Sequence, residues 1–205
     1  MKKDKIFLFL SILAVILIIV IVFNLNYFFG LADTEAEPIA ITPSFVSEMS
    51  SSNASATVFV FSDFQCPFCS SQAEPLHQIK EYYGDNVNIV FKHLIVHEGS
   101  LSASLASECA RDQGKFWEYH DLLFANQAAQ SDSDLANYAQ TLGLDLDQFN
   151  QCMVSVAKYD IIQQDMQQAV DAGITGTPSL IINGQLYKGV QDFSTLQEII
   201  DPLLI

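Results

Sequence analysis

Basic residues are scarce in this chain of 205: nine Lys and Arg stand against 24 Asp and Glu, a formal net charge of -15 at pH 7. Binding to a polyanion draws on cationic side chains, so this balance argues against nucleic acid and against an anionic membrane surface as partners. Cysteine is also rare, four in all. Cys66 and Cys69 lie close together, whereas Cys109 and Cys152 do not form a second close pair, so the usual zinc pattern is incomplete and no metal is expected. No cysteine precedes Cys66, which leaves no thiol for a lipid near the start of the sequence. Gly173 and Gly176 lack the Gly-Lys-Ser/Thr ending of a phosphate loop. Asp132, Asp134, Asp145 and Asp147 resemble a calcium loop in composition only, without its glycine and terminal Glu, and read as a solvated face. There is no internal repeat.

Charge is missing altogether from residues 6–23. As a helix this run would reach about 27 Å, close to a bilayer core. Tyr27, Phe28 and Phe29 suit an interfacial belt, and Lys2, Lys3 and Lys5 place the N-terminus in the cytoplasm. The expectation is a cytoplasmic tail over 1–5 and a single transmembrane anchor over 6–29, with the remainder outside the cytoplasm, held at the cell membrane. A signal peptide cleaved near Gly30-Leu31-Ala32 is the competing reading. Residues 30–53, with Pro38, Pro43 and Ser50-Ser51-Ser52-Asn53, read as a linker in which Ile39 and Ile41 give a weak strand signal.

From residue 54 to 205 the pattern is α/β. Residues 56–62 form a continuous apolar run, the mark of a strand covered on both faces. Residues 67–83 read as a helix with a kink at Pro75, Gly84-Asp85-Asn86 as a turn, and 87–94 as a second strand, completing a parallel crossover. Helical periodicity follows over 100–111, 115–126, 133–142 and 146–170, the last broken near Ser155, with Ser133 as an N-cap and Gly143 as a stop. Strands at 179–182 and 185–188 flank the hairpin signal Asn183-Gly184, and a final helix starts at Ser194.

Cys66-Pro67-Phe68-Cys69 joins the first strand to the first helix. The spacing puts both sulfurs on one helical turn. Cys66 falls at the helix N-terminus, where unpaired N–H groups and the helix dipole favour thiolate over thiol. Pro67 fits the first turn, and Cys69, one turn in, suits a resolving role. The arrangement implies thiol–disulfide exchange, against two blander readings: half of a metal site, or an inert disulfide. An even cysteine count suits an oxidising compartment. A disulfide between Cys109 and Cys152 would staple the helical block, worth about 4 kcal/mol on the chain-entropy estimate; a second redox pair and two free thiols are the alternatives. His77, His93, His97 and His120 show no common geometry, though His93 and His97 could approach the site from the end of the second strand. Phe116 and Trp117 read as core.

Phe61-Ser62-Asp63-Phe64-Gln65-Cys66-Pro67-Phe68-Cys69, Gly114-Lys115-Phe116-Trp117-Glu118-Tyr119-His120 and Gly173-Ile174-Thr175-Gly176-Thr177-Pro178 together resemble the DsbA-like branch of the thioredoxin superfamily. The resemblance runs from about Ala54 onward. It implies a thioredoxin-like fold with a helical insertion, about 98–172, between the β-α-β and β-β-α halves. It also implies a cis peptide at Pro178 and a Thr177 backbone that pairs with an extended substrate peptide. Phe68 stands where strongly oxidising members carry His, and Val60 where relatives carry a buried acid. Asp63 is the nearest carboxylate and the candidate proton relay to Cys69.

The expected activity is an extracytoplasmic oxidoreductase that introduces disulfides into exported client proteins with free thiols. Its reoxidant would be a membrane partner, typically quinone-linked. It would need no cofactor and act as a monomer. The rivals are a reductase or isomerase on the same fold, and a soft-metal assembly module using the same two cysteines for an ion such as Cu(I).

Overall fold

The computed structural model describes residues 13, 15–21, 38–41 and 54–204. The chain divides into two units, Met1–Glu37 and Pro38–Ile205. In the first unit, residues 13 and 15–21 are helical with exposed side chains. The anchor expected over 6–29 lies largely outside the described residues; among those described, no helix is long and apolar enough to cross a membrane.

The second unit is built on a sheet of order β2-β1-β3-β4. Strand β1 (Ala56–Ser62) lies inside it, parallel to β2 (Val87–His93) and antiparallel to β3 (Ser179–Ile182), which pairs in turn with β4 (Gln185–Lys188). The unbroken apolar run of β1 has a plain cause. Ala56, Val58 and Val60 face the main core, whereas Phe59 and Phe61 face a second, smaller one with Leu94, Ala169, Ile174 and Ile181. Successive side chains point to opposite faces, so a strand covered twice must be apolar at both parities.

Helix α1 (Pro67–Tyr83) connects β1 to β2, with Pro75 inside it and a short 3-10 turn, Gly84–Asn86, after it. The helical block comprises α2 (Ser100–Arg111), α3 (Phe116–Ala125), α4 (Asp132–Thr141), α5 (Leu146–Met153) and α6 (Val156–Asp171). Helix α7 (Phe193–Ile200) closes the chain against α1.

Three boundaries differ from the sequence reading. Helix α4 is capped by Ser131, not Ser133: the Ser131 hydroxyl accepts from Asp134 N while the Asp134 carboxylate accepts from Ser131 N, a reciprocal box that an isolated Ser133 cannot make. Helix α7 begins at Phe193 because Asp192 accepts from Thr195 N. Residues 38–41, placed in a linker, belong with the folded unit. Ile39 N donates to Gly184 O at 2.9 Å, and Ile39 and Ile41 pack on the second core without forming a ladder.

Buried charges join the block to the sheet. Lys92 Nζ on β2 lies 2.9 Å from Asp165 Oδ1 on α6, both side chains nearly inaccessible, and Asp165 also accepts from His93 N. Glu108 on α2 meets His93 and Arg111. Burial pushes its carboxyl up, but the His93 hydrogen bond and the Arg111 charge outweigh that and hold it at about 2.

Cys109 on α2 and Cys152 on α5 form a disulfide. It closes a loop that contains α3 and α4. The Cys109→Ser/Cys152→Ser variant should lose about 4 kcal/mol of stability in urea unfolding while retaining thiol exchange at Cys66 and Cys69. A variant that keeps its stability and loses exchange would make this pair part of the redox chemistry instead.

Candidate active site

The site forms where β1 stops. Residues 63–66 turn back on themselves, with Cys66 N donating to Asp63 O at 3.0 Å. Cys66 is the extended N-cap of α1, and Pro67 follows at the first helical position, where no N–H is required. Cys69 N and Ser70 N donate to Cys66 O at 3.0 and 3.2 Å, starting the helix. The Cys66 sulfur therefore stands at the electropositive end of α1. Cys66 and Cys69 are both free thiols, 5% and 1% exposed, while Pro67 and Phe68 between them lie at the surface, Phe68 at 66%.

The β1–β3 pairing brings the second half of the site into place. Phe61 is opposite Ser179, so the residues just before β3 lie beside those just after β1. Those residues are Thr177 and Pro178, joined by a cis peptide bond. Cys66 Sγ lies 3.6 Å from Thr177 O, to which it donates. Pro178 O accepts from Gly189 N and Ser179 Oγ donates to Gly176 O, tying the loop to β4 and to itself. Thus Cys66 and Cys69 share one site with Thr177 and Pro178, a pair more than 100 positions further along the sequence.

Burial pushes the Cys69 thiol up to about 11, and a charge on Cys66 adds to this; the Ser62 and Thr177 hydroxyls and the Asp63 N–H act in the opposite direction. Asp63 N donates to Cys69 Sγ at 3.4 Å. Cys69 is accordingly a thiol at neutral pH.

The Asp63 carboxylate is occupied elsewhere. Oδ1 accepts from Gln65 N at 2.7 Å and from Ser100 Oγ; Oδ2 accepts from Val96 N at 2.7 Å and His97 N at 2.9 Å, with His97 Nδ1 at 3.1 Å. Burial raises its pKa, but these donors, Ser100 foremost, bring it below the usual carboxylate value. A carboxylate so occupied carries protons poorly. Asp63 is better described as the clamp that fastens the turn after β1 to the loop after β2. Val60, where relatives carry an acid, is a buried core residue.

The histidines fall into separate networks. His93 Nε2 pairs with Glu108 at 2.9 Å, and His97 joins the Asp63 clamp. His77 and His120, which share no pattern in sequence, meet through Asp121 because α1 and α3 pack together. Each ring nitrogen is 2.8 Å from the same Asp121 oxygen. Ligands around tetrahedral zinc stand about 3.3 Å apart, so this spacing fits hydrogen bonds and not a metal centre.

Several supporting residues escaped the sequence reading. Gln127 Nε2 donates to Phe64 O and Cys66 O, and Gln130 Nε2 to Phe64 O and Leu123 O. Gln72 on α1 exchanges hydrogen bonds with the Gln191 backbone. Glutamine in a loop or on a helix carries no periodic signal, so nothing in the chain marked these positions.

Asp63→Asn should cost about 3 kcal/mol of stability, since it removes a charge that backbone donors surround, and should leave Cys69 reactivity at a given pH little changed in the folded fraction. Full stability with a shifted Cys69 titration would restore the relay role.

Comparison with known proteins bears on the whole of this architecture. A family model described as "Thioredoxin" matches residues 49–202. Among curated proteins, an antiporter of Salinispora arenicola named Na(+)/H(+) antiporter NhaA 1 is 38% identical over 148 residues, covering 70% of this chain and 22% of its own length. The antiporter NhaA of Herminiimonas arsenicoxydans is 30% identical over 149 residues, covering 73% of this chain and 24% of its own. The chain thus spans less than a quarter of these relatives. A thioredoxin-like oxidoreductase from Silicibacter pomeroyi superposes with a TM-score of 0.68 at 29% identity, covering 73% of this chain and 87% of that one. The thiol-disulfide exchange protein alpha-DsbA2 from Wolbachia pipientis, at 23% identity and TM-score 0.71, covers 77% and 87% and shares the fold. With a sheet, a dithiol turn and a cis-proline loop in this arrangement, the chain belongs to the thioredoxin family.

Proposed function

We propose that this protein introduces disulfides into exported proteins through Cys66 and Cys69. The observation that carries the reading is the position of the Cys66 sulfur, at the N-terminus of α1 and 3.6 Å from the Thr177 carbonyl beside cis-Pro178. An extended client strand laid against the Thr177 backbone would bring its thiol to that sulfur with little demand on its sequence.

In the oxidising direction a client thiolate attacks Cys66 of the Cys66–Cys69 disulfide, and Cys69 leaves. The client is then held by a mixed disulfide to Cys66. A second client thiolate attacks its own partner sulfur, the client leaves oxidised, and the protein holds two thiols. Two electrons and two protons have moved from client to protein, and a membrane partner, quinone-linked in the expected scheme, removes them. In the reverse sense Cys69 resolves the mixed disulfide.

The reductase or isomerase reading keeps one specific support: Phe68, exposed and uncharged, stands where strongly oxidising relatives carry His. The metal-module reading rests on the two sulfurs alone. A membrane tether, a location outside the cytoplasm and a monomeric state complete the proposal. The membrane setting is supported by the charge-free run at 6–23 and by similar sequence within proteins named as antiporters.

With a disulfide-bonded client, Cys69→Ser should trap a mixed disulfide on non-reducing gels, because Cys66 attacks the client disulfide, one client thiol leaves and no Cys69 remains to resolve the product; Cys66→Ser should trap none, and equal trapping by both would overturn the assignment of roles. Equilibration of the full-length chain with glutathione decides direction: about -120 mV marks a disulfide donor, and about -270 mV marks a reductase. Because burial keeps Cys69 protonated, its attack on a preformed Cys66 mixed disulfide should accelerate about tenfold per pH unit from neutrality toward pH 11. A rate flat in pH would mean that Cys69 is not the attacking group.

A further inference from the structure

We propose that Gln127 is a positioning residue for Cys66, and that through it the helical block sets how readily the Cys66–Cys69 disulfide is reduced. The inference rests on the thiol-exchange reading above and adds a residue, and a route of control, to it.

Gln127 follows α3 and lies half-buried. Its amide nitrogen carries two hydrogens, and both are used on the active-site turn: Nε2 is 3.0 Å from Phe64 O and 2.9 Å from Cys66 O. Cys66 O already accepts from Cys69 N and Ser70 N within α1, so Gln127 adds a donor from outside the helix to the backbone of the reactive residue itself. Gln130 supports the same turn differently. Its Nε2 reaches Phe64 O and Leu123 O, not Cys66 O.

The consequence is electrostatic. A carbonyl oxygen carries partial negative charge, and Gln127 binds one on Cys66 itself and another two residues before it, on Phe64. The Gln127 N–H on Cys66 O draws that charge away from the reactive residue, while the one on Phe64 O, an oxygen Gln130 also binds, holds the turn. Little solvent reaches the 5%-exposed Cys66, so screening is weak and each donor counts for more than it would in water. The clamp therefore favours the dithiol over the disulfide. Asp63 secures the first residue of the turn and Gln127 secures the last.

The test compares Gln127→Met, which keeps length and burial but has no donor, with Gln127→Glu, which keeps shape and replaces the donor by a negative charge. Gln130→Met is the control that loosens the loop without touching Cys66. In full-length protein, the Gln127→Met glutathione equilibrium should move toward the disulfide about tenfold, equivalent to about 30 mV. Gln127→Glu should move it at least as far, and Gln130→Met should stay within about threefold of the wild type. Iodoacetamide alkylation of reduced Cys66 at fixed pH should slow in the same order.

If the folded Gln127 variants match the wild type within about twofold in both measurements, with only thermal stability reduced, the clamp is structural and the proposal is wrong. If Gln130→Met shifts the equilibrium as far as Gln127→Met, the effect belongs to loop order and the proposal is equally wrong. A wild type that forms no Cys66–Cys69 disulfide in glutathione would defeat the proposed function instead; the alkylation series, which needs no exchange, would still decide the role of Gln127.

Discussion

A buried carboxylate is costly unless donors surround it, and Asp63 is surrounded. Gln65, Val96, His97 and Ser100 converge on its two oxygens from the turn after β1, the loop after β2 and the start of α2. The geometry of the dithiol depends on this convergence. With Asp63 fixed, its carbonyl accepts from Cys66 N and its N–H reaches Cys69 Sγ, so one residue sets the position of both sulfurs. The same side chain would be a poor choice for shuttling protons, because releasing its donors would loosen the turn it holds.

The two parts of the fold contribute differently to the site. The sheet brings the cysteine turn and the cis-proline loop together, since β1 and β3 are antiparallel neighbours and β1 ends where β3 begins. The helical block supplies no sulfur. It supplies Ser100, Gln127 and Gln130, which hold the turn from the side, and it is secured to β2 by Lys92–Asp165 and His93–Glu108. Desolvation offsets most of the attraction in such buried pairs, so they add little net stability, but removing either partner would leave a buried charge uncompensated. The disulfide between Cys109 and Cys152 adds a covalent limit to how far α2 and α5 can separate.

Much of this was legible in the chain because it is local. The two-faced strand, the N-terminal cysteine of α1, the Asn183-Gly184 hairpin and the break before α6 all arise from residues within one or two turns of each other. Errors of boundary had local causes too, as at α4, where the reciprocal Ser131–Asp134 cap outweighs Ser133. The less legible features are side chains whose partners lie far along the chain: His77 with Asp121, Gln127 with Cys66, Asp63 with Val96.

By itself the sequence determined the chemistry available: two thiols one helical turn apart at a strand end, a proline suited to the first turn, and an apolar run able to be buried on both sides. Spacing and periodicity act over a few residues, and that is as far as they reach. Tertiary structure decided what those thiols face. It placed the Thr177 carbonyl 3.6 Å from Cys66, buried Cys69 so that it stays protonated, and occupied the Asp63 carboxylate with backbone donors. Hydrogen bonding and desolvation depend on which groups are brought within about 3 Å of each other, and for residues more than 100 positions apart only the packed sheet and helices determine that.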